Sequence, residues 1–206
     1  MAVVKSTKIA VVNSNKRGDF VMNDIVEKVK EEIIKISNDK MKETNYDDWN
    51  NHIKLVYENG HKLAIERNAD IEIVDLAAIL HDVARVMEYG TLEEHNIYGA
   101  EVAEKILKKY NYPEEKIEFV KKCIYNHIDN AKESVEEEII ADADVLAHFD
   151  NLSMLYWIAM EKKRLNCDDS KKFVKKKLEF DYNKLSEYGK EKFNDRYTMI
   201  MKTLFG

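Results

Sequence analysis

A single proline and six glycines in 206 residues leave this chain almost without the residues that interrupt a helix. That scarcity disfavours a many-turned β fold and points to long helices. The two cysteines, Cys123 and Cys167, are too few for a disulfide framework and do not stand in CxxC spacing. They read as small apolar fillers of a reduced, intracellular protein. No apolar run approaches the roughly 18 residues that a membrane span needs. The first stretch, MAVVKSTKIAVVNSNKRGDF, lacks the apolar core of a signal peptide. A basic excess is missing too: the formal charge of −6 argues against a nucleic-acid binder and leaves room for a local basic pocket. A cytoplasmic protein without membrane contact is expected.

What is present is helical pattern. Residues 1–18 form an arm of uncertain structure, in which KIAVV is a short strand or an extended segment. From Asp19 onward, apolar residues recur at helical spacing, beginning with Ile25, Val29, Ile33 and Ile36. Asp47 or Asp48 caps a helix carrying Trp49, Ile53, Val56 and Leu63. Asp70 caps the next, IEIVDLAAILHDVARVMEY, which Gly90 ends. Further helices run from about Glu94 to Tyr110, from Pro113, and from Glu136 to Met160 with a break near Asn151. Residues 161–206 supply more helix, with a lysine-rich face in KKFVKKKLEF that reads as solvated. The expectation is one all-α domain over residues 19–206.

Ionisable residues fall on the inward faces of these helices. His81 shares a stripe with Ile73, Ala77, Leu80 and Ala84, and Asp82 is turned from it by about 100°, near enough to reach the same ion. His52 lies on a stripe with Val56 and Leu63. His127 ends the stripe Ile117, Val120, Ile124, and His95 leads into Tyr98, Val102 and Ile106. Asp144 stands between Ile140 and Ala147, with Asp142 as its competitor. One inward histidine is ordinarily a core residue with a backbone partner. An unpaired buried carboxylate is costly, and convergence on a cation removes that cost. Imidazoles and carboxylates suit borderline or hard divalent ions, and the absence of cysteine from the set argues against structural zinc. His61, in ENGHK, reads as surface. His148 reads either as a neighbour of Asp144 or as a helix-end filler, and Asp129 as a surface turn residue.

The order His52, His81–Asp82, Asp144, set in AAILHDVAR, EHNIYGAEVAEKIL and ADADVLAHF, resembles the HD-domain metal-dependent phosphohydrolases over roughly Asp47–Met160. The resemblance implies an HD-like helical core at about residues 47–160 with additional N- and C-terminal helices. It implies a divalent ion (Mn, Fe, Co, Ni, Zn or Mg), one per chain, held by His52, His81, Asp82 and Asp144. His95 and His127 match positions that bind substrate phosphate, or a second metal in dinuclear members. Asp82 would also orient water. Arg85 occupies the place where some nucleotide-cleaving relatives carry a glutamate. Arginine cannot act as a base, so it would hold a phosphate oxygen, pair with Glu88, or stand as a solvated charge. Ala147 likewise replaces an aspartate common in close relatives. The implied activity is hydrolysis of a phosphate ester or phosphoanhydride in a small phosphorylated substrate such as a nucleotide. The alternatives are a nucleotide-sensing module without turnover and a di-iron, oxygen-activating enzyme. A homodimer is left open.

Overall fold

The computed structural model describes residues 16–128 and 131–206, and all regular structure among them is helical. Helix α1 (Lys16–Thr44) takes in the last three residues of the expected arm. The rest of the arm, with KIAVV, and Asp129 lie outside the described residues. Among the described residues, no helix is long and apolar enough to cross a membrane.

Helix α1 buries Val29 and Ile33 of the predicted stripe, with Val26 beside them, and leaves Ile25 and Ile36 half-buried. Its buried Ser37 accepts the backbone N–H of Trp49 at 2.9 Å, which docks a π-helical turn (Trp49–Ile53) carrying His52. Asp47 rather than Asp48 opens that turn, accepting from the Asn50 N–H at 2.9 Å. The chain continues as α2 (Lys54–Arg67) and ends at Asn68 in the left-handed region, φ 53°. Asp70 then caps α3 (Ile71–Leu80) through the Ile73 N–H at 3.2 Å.

Helix α3 is the centre of the molecule. Every residue from Glu72 to Leu80 is buried, as expected for a helix that is apolar on all sides. Helices α1, α2, α6 (Glu114–Asn126) and α7 (Val135–Asp150) pack around it. Each fully buried leucine or isoleucine here contributes about 2 kcal/mol by transfer from water. The two acids of α3 each have a partner. Glu72 accepts from Tyr112 and Lys116, each at 2.6 Å. Asp75 meets His61 Nδ1 at 3.0 Å, so His61 is only half exposed and has a defined partner, unlike the plain surface residue its context suggests.

The sequence predicts one helix running to Gly90, but α3 stops at Leu80. Asp82 adopts φ −107°, ψ 14°, and a single turn, α4 (Val83–Val86), follows. At this break His81 Nε2 and Asp82 Oδ2 come within 3.7 Å of each other. Helix α5 (His95–Lys109) crosses directly over it. There a Cβ on Gly99 would lie 3.2 Å from the His81 carbonyl oxygen and 3.3 Å from Ile124 Cγ2, so the approach depends on glycine. Gly90, at φ +81°, does close the segment further on.

Ser134 caps α7 and Asn151 ends it, capping α8 (Leu152–Trp157), which runs into a second π-helical turn (Ile158–Lys162). Asn166 caps α9 (Cys167–Lys184) and Ser186 caps α10 (Glu187–Phe205). Cys123 is a buried filler, whereas Cys167 is exposed because it opens α9 on its solvent side. Val145, Phe149, Leu155, Val174, Leu178 and Leu185 form a second apolar cluster beside the one around α3. Helix α7 contributes to both, and Asp144 and His148 stand along the seam.

Candidate metal centre

Five parts of the chain bring their side chains to one place: the first π-helical turn, the α3–α4 break, α7, and the facing ends of α5 and α6. His52 Nε2 lies 3.1 Å from His81 Nε2, 3.1 Å from Asp144 Oδ1 and 3.6 Å from Asp82 Oδ2. His81 Nε2 stands 3.7 Å from Asp82 Oδ2 and 3.8 Å from Asp144 Oδ1. On the other side of Asp82, His95 Nε2 is 3.5 Å from Oδ1 and 3.3 Å from His127 Nε2. The structure thus brings His52, His81, Asp82 and Asp144 together and sets His95 and His127 beside them.

The imidazoles are oriented by their other nitrogens. His81 Nδ1 donates to Ala78 O at 2.8 Å, His95 Nδ1 to Leu92 O at 2.8 Å, and His127 Nδ1 to Ile124 O at 2.6 Å. Each bond reaches three residues back along the chain, a spacing that a helix end supplies. With the Nδ1 proton so engaged, Nε2 of the neutral ring presents a lone pair to the centre.

Burial pushes the His81 imidazole down, with His52 adding to the effect against Asp82, and pushes His127, with help from His81, down to about 4. Both rings are therefore neutral near pH 7. Burial opposes charge on Asp82, yet Arg85, His81, His52 and His95 outweigh it and hold the carboxyl below the usual range. Asp144 is held low in the same way, against its burial, by His148, His52 and His81.

This donor set fits a divalent ion. Asp82 Oδ1 and His52 Nδ1 are buried without a hydrogen-bond partner. The one proton that His52 Nε2 can carry faces two acceptors, His81 Nε2 and Asp144 Oδ1, and can satisfy only one of them. A cation in that position would meet both.

Arg85 pairs with Asp82, NH1 to Oδ2 at 2.8 Å, and not with Glu88, which meets Lys40 at 2.7 Å instead. Asp142 turns away from the donors and accepts from the Ser186 backbone N–H and hydroxyl at 2.8 and 2.5 Å, so it anchors the residue that caps α10. His148, ambiguous in the sequence, comes to the site: its ring stacks on His52 at 5.3 Å, and Nε2 is 4.0 Å from Asp144 Oδ1. Behind it stand Asp181 and Lys177 of α9. Lys171, Lys172, Lys175 and Lys176 face solvent as expected; Lys177 does not.

Two cavities, of about 590 and 580 Å³, flank the donors and share Asp82, Arg85 and His148. The first reaches past His95 and His127 toward Lys177 and the α9–α10 junction. The second passes Tyr46 and Trp157, whose rings stack at 4.2 Å.

The HD domain family model matches residues 50–155, about half of the chain. An uncharacterized protein of Clostridium beijerinckii is 33% identical over 104 residues, 50% of this chain and 62% of that one. A tRNA (cytidine(56)-2'-O)-methyltransferase of Thermoplasma volcanium is 27% identical over 143 residues, 63% of this chain and 40% of that one. The chain therefore spans less than two thirds of the length of either relative. The crystal structure of a predicted HD superfamily hydrolase from an uncultured Thermotogales bacterium superposes with a TM-score of 0.51 at 25% identity, covering 73% of this chain and 85% of that one.

Proposed function

Given that the chain belongs to the HD domain family, we propose that it is a metal-dependent phosphohydrolase acting on a phosphate ester or phosphoanhydride of a nucleotide or related small metabolite. The observation that carries this reading is the convergence of His52, His81, Asp82 and Asp144, from three separate parts of the chain, with each of the two imidazole Nε2 atoms 3.1–3.8 Å from both carboxylates, beside an open polar cavity. These four residues would hold one divalent ion. When bound, it supplies Lewis acidity toward a phosphoryl oxygen and eases deprotonation of water.

The chain's own groups do the rest. His95 and His127, with Nδ1 engaged and Nε2 atoms 3.3 Å apart, would accept a hydrogen bond from a protonated phosphate oxygen through either Nε2 and so hold the substrate in place. Arg85 lines the same cavity and adds positive charge where negative charge accumulates during phosphoryl transfer. The Asp82 carboxylate, held ionised, accepts a hydrogen bond from the attacking water and orients it.

A second reading, with two ions, is favoured by the split of Asp82: Oδ2 faces His52 and His81 while Oδ1 faces His95. His95 and His127 would then be ligands rather than phosphate contacts.

The test is metal-stripped protein supplied with Mn²⁺, Fe²⁺, Co²⁺, Ni²⁺, Zn²⁺ or Mg²⁺ against nucleotides and phosphomonoesters, with Asp82→Ala as control. Metal-dependent phosphate or pyrophosphate release, lost in the variant, supports the hydrolase. Ligand-induced stabilisation without product moves the reading to a sensor. Two irons per chain with an iron absorption band move it to oxygen chemistry.

A further inference from the structure

We infer that His148 is an additional ligand of the metal centre, positioned by Asp181 and Lys177 of α9. The inference rests on the proposal that a divalent ion occupies the His52–His81–Asp82–Asp144 cluster. His148 follows Asp144 by one helical turn of α7, so both side chains reach the same side of that helix. Donor atoms at about 2.0–2.2 Å from a first-row ion lie about 3 Å apart when adjacent and about 4 Å when opposed. The 4.0 Å from His148 Nε2 to Asp144 Oδ1 falls within that span. The His148 ring lies 11° from parallel to that of His52, so the two histidines present their edges to the centre side by side.

The other end of the ring explains the buried acid behind it. His148 Nδ1 lies 3.0 Å from Asp181 Oδ2, which can only accept, and the more distant Lys177 Nζ, at 3.4 Å, is engaged by the same carboxylate, so Nδ1–H donates to Asp181 and Nε2 of the neutral ring carries the lone pair. Asp181 is 1% exposed, a costly place for a carboxylate unless it is compensated. Lys177 compensates it, with Nζ at 2.6 and 2.7 Å from its two oxygens. A carboxylate behind an imidazole is the arrangement that fixes the ring of a metal-binding histidine and raises its basicity.

His81, His95 and His127 take the same support from backbone carbonyls of their own segments. His148 takes it from α9, beyond the residues 50–155 that match the family. The C-terminal helices therefore reach into the centre through one ligand, and Asp181 and Lys177 are positioning residues for it.

The test is titration of the metal-free full-length protein with Co²⁺, read by calorimetry and by the visible absorption of the ion. His148→Ala weakens Co²⁺ binding about 10- to 100-fold and alters the absorption bands, since the ligand count changes. His148→Gln, close in volume, decides the matter if the alanine variant does not fold. Asp181→Asn gives a smaller loss of affinity, about tenfold, and Asp181→Glu restores part of it. Imidazole added to His148→Gly returns the bands toward those of the wild type. If His148→Gln keeps both the affinity and the bands of the wild type, His148 is a structural link between α7 and α9, and the inference fails alone. If the wild type binds no Co²⁺, the inference and the proposed function fall together.

Discussion

Asp142 and Asp144, two residues apart on α7, point to opposite purposes: Asp142 accepts from Ser186 at the start of α10, and Asp144 lies 3.1 Å from His52 Nε2. Their variants should separate accordingly. Asp142→Ala removes the two hydrogen bonds that anchor Ser186 and costs about 1–3 kcal/mol of stability while leaving Co²⁺ affinity unchanged. Asp144→Ala lowers Co²⁺ affinity at least about 100-fold. Thermal melting and calorimetry on both variants check this, and a loss of metal binding in Asp142→Ala would overturn the assignment.

Removing the ion should also cost stability. An ion at 100 times its dissociation constant stabilises the folded state by about 2.7 kcal/mol. For a chain of this size, that corresponds to a fall in Tm of roughly 5–10 °C on chelation. Asp82→Ala should melt at the same temperature with and without chelator. An unchanged Tm in chelated wild type, with metal release verified, would break the linkage.

Asp75 carries a pH signature away from the metal centre. Burial pushes its carboxyl up to about 6, against the pull of His61 and Lys30. Its pKa is higher folded than unfolded, so the folded state binds the extra proton between about pH 4 and 6. Stability from this group is present at low pH and lost as pH rises through 6. The ionised carboxylate costs on the order of 2–3 kcal/mol at neutral pH. Asp75→Asn should therefore gain stability over the wild type at pH 7.5, and the gain should shrink at pH 5. A gap in Tm that stays constant with pH would contradict the assignment.

Gly99→Ala sets a methyl 3.2 Å from the His81 carbonyl oxygen, where the backbone must move. Overpacking of this kind costs about 1–3 kcal/mol. Because α5 also carries His95, the same shift should draw His95 away from Asp82. The expected outcome is a lower Tm together with altered Co²⁺ absorption bands. A variant that matches the wild type in both would show that α5 yields elsewhere.

The features legible in the sequence are those with local causes. Asp70 as a cap, the break at Asn151 and the inward stripes holding His81, His95 and His127 each follow from residues within one or two turns. The interruption of α3 at His81–Asp82 was not legible, because no glycine or proline marks it. Tertiary packing of α5 accompanies it instead. Lys177 and Asp181 look like an ordinary i, i+4 surface pair, and only the return of α9 onto α7 turns them inward, 33 residues from His148 at Asp181. For Arg85 the sequence leaves open a phosphate contact, a pair with Glu88 or a solvated charge, and the ion pair it makes is with Asp82, one turn the other way from Glu88.

The carbonyl contacts behind His81, His95 and His127 bear on time as well as place. These rings are oriented when their helix ends form, so their rotational freedom is lost during folding and not on arrival of an ion. Capture of an ion needs none of these three rings to turn. Of the proposed ligands, His81 can swing away only by first breaking its own backbone bond, so its departure from the ion would report the opening of a helix end, whereas His52, whose Nδ1 has no partner, turns without that cost.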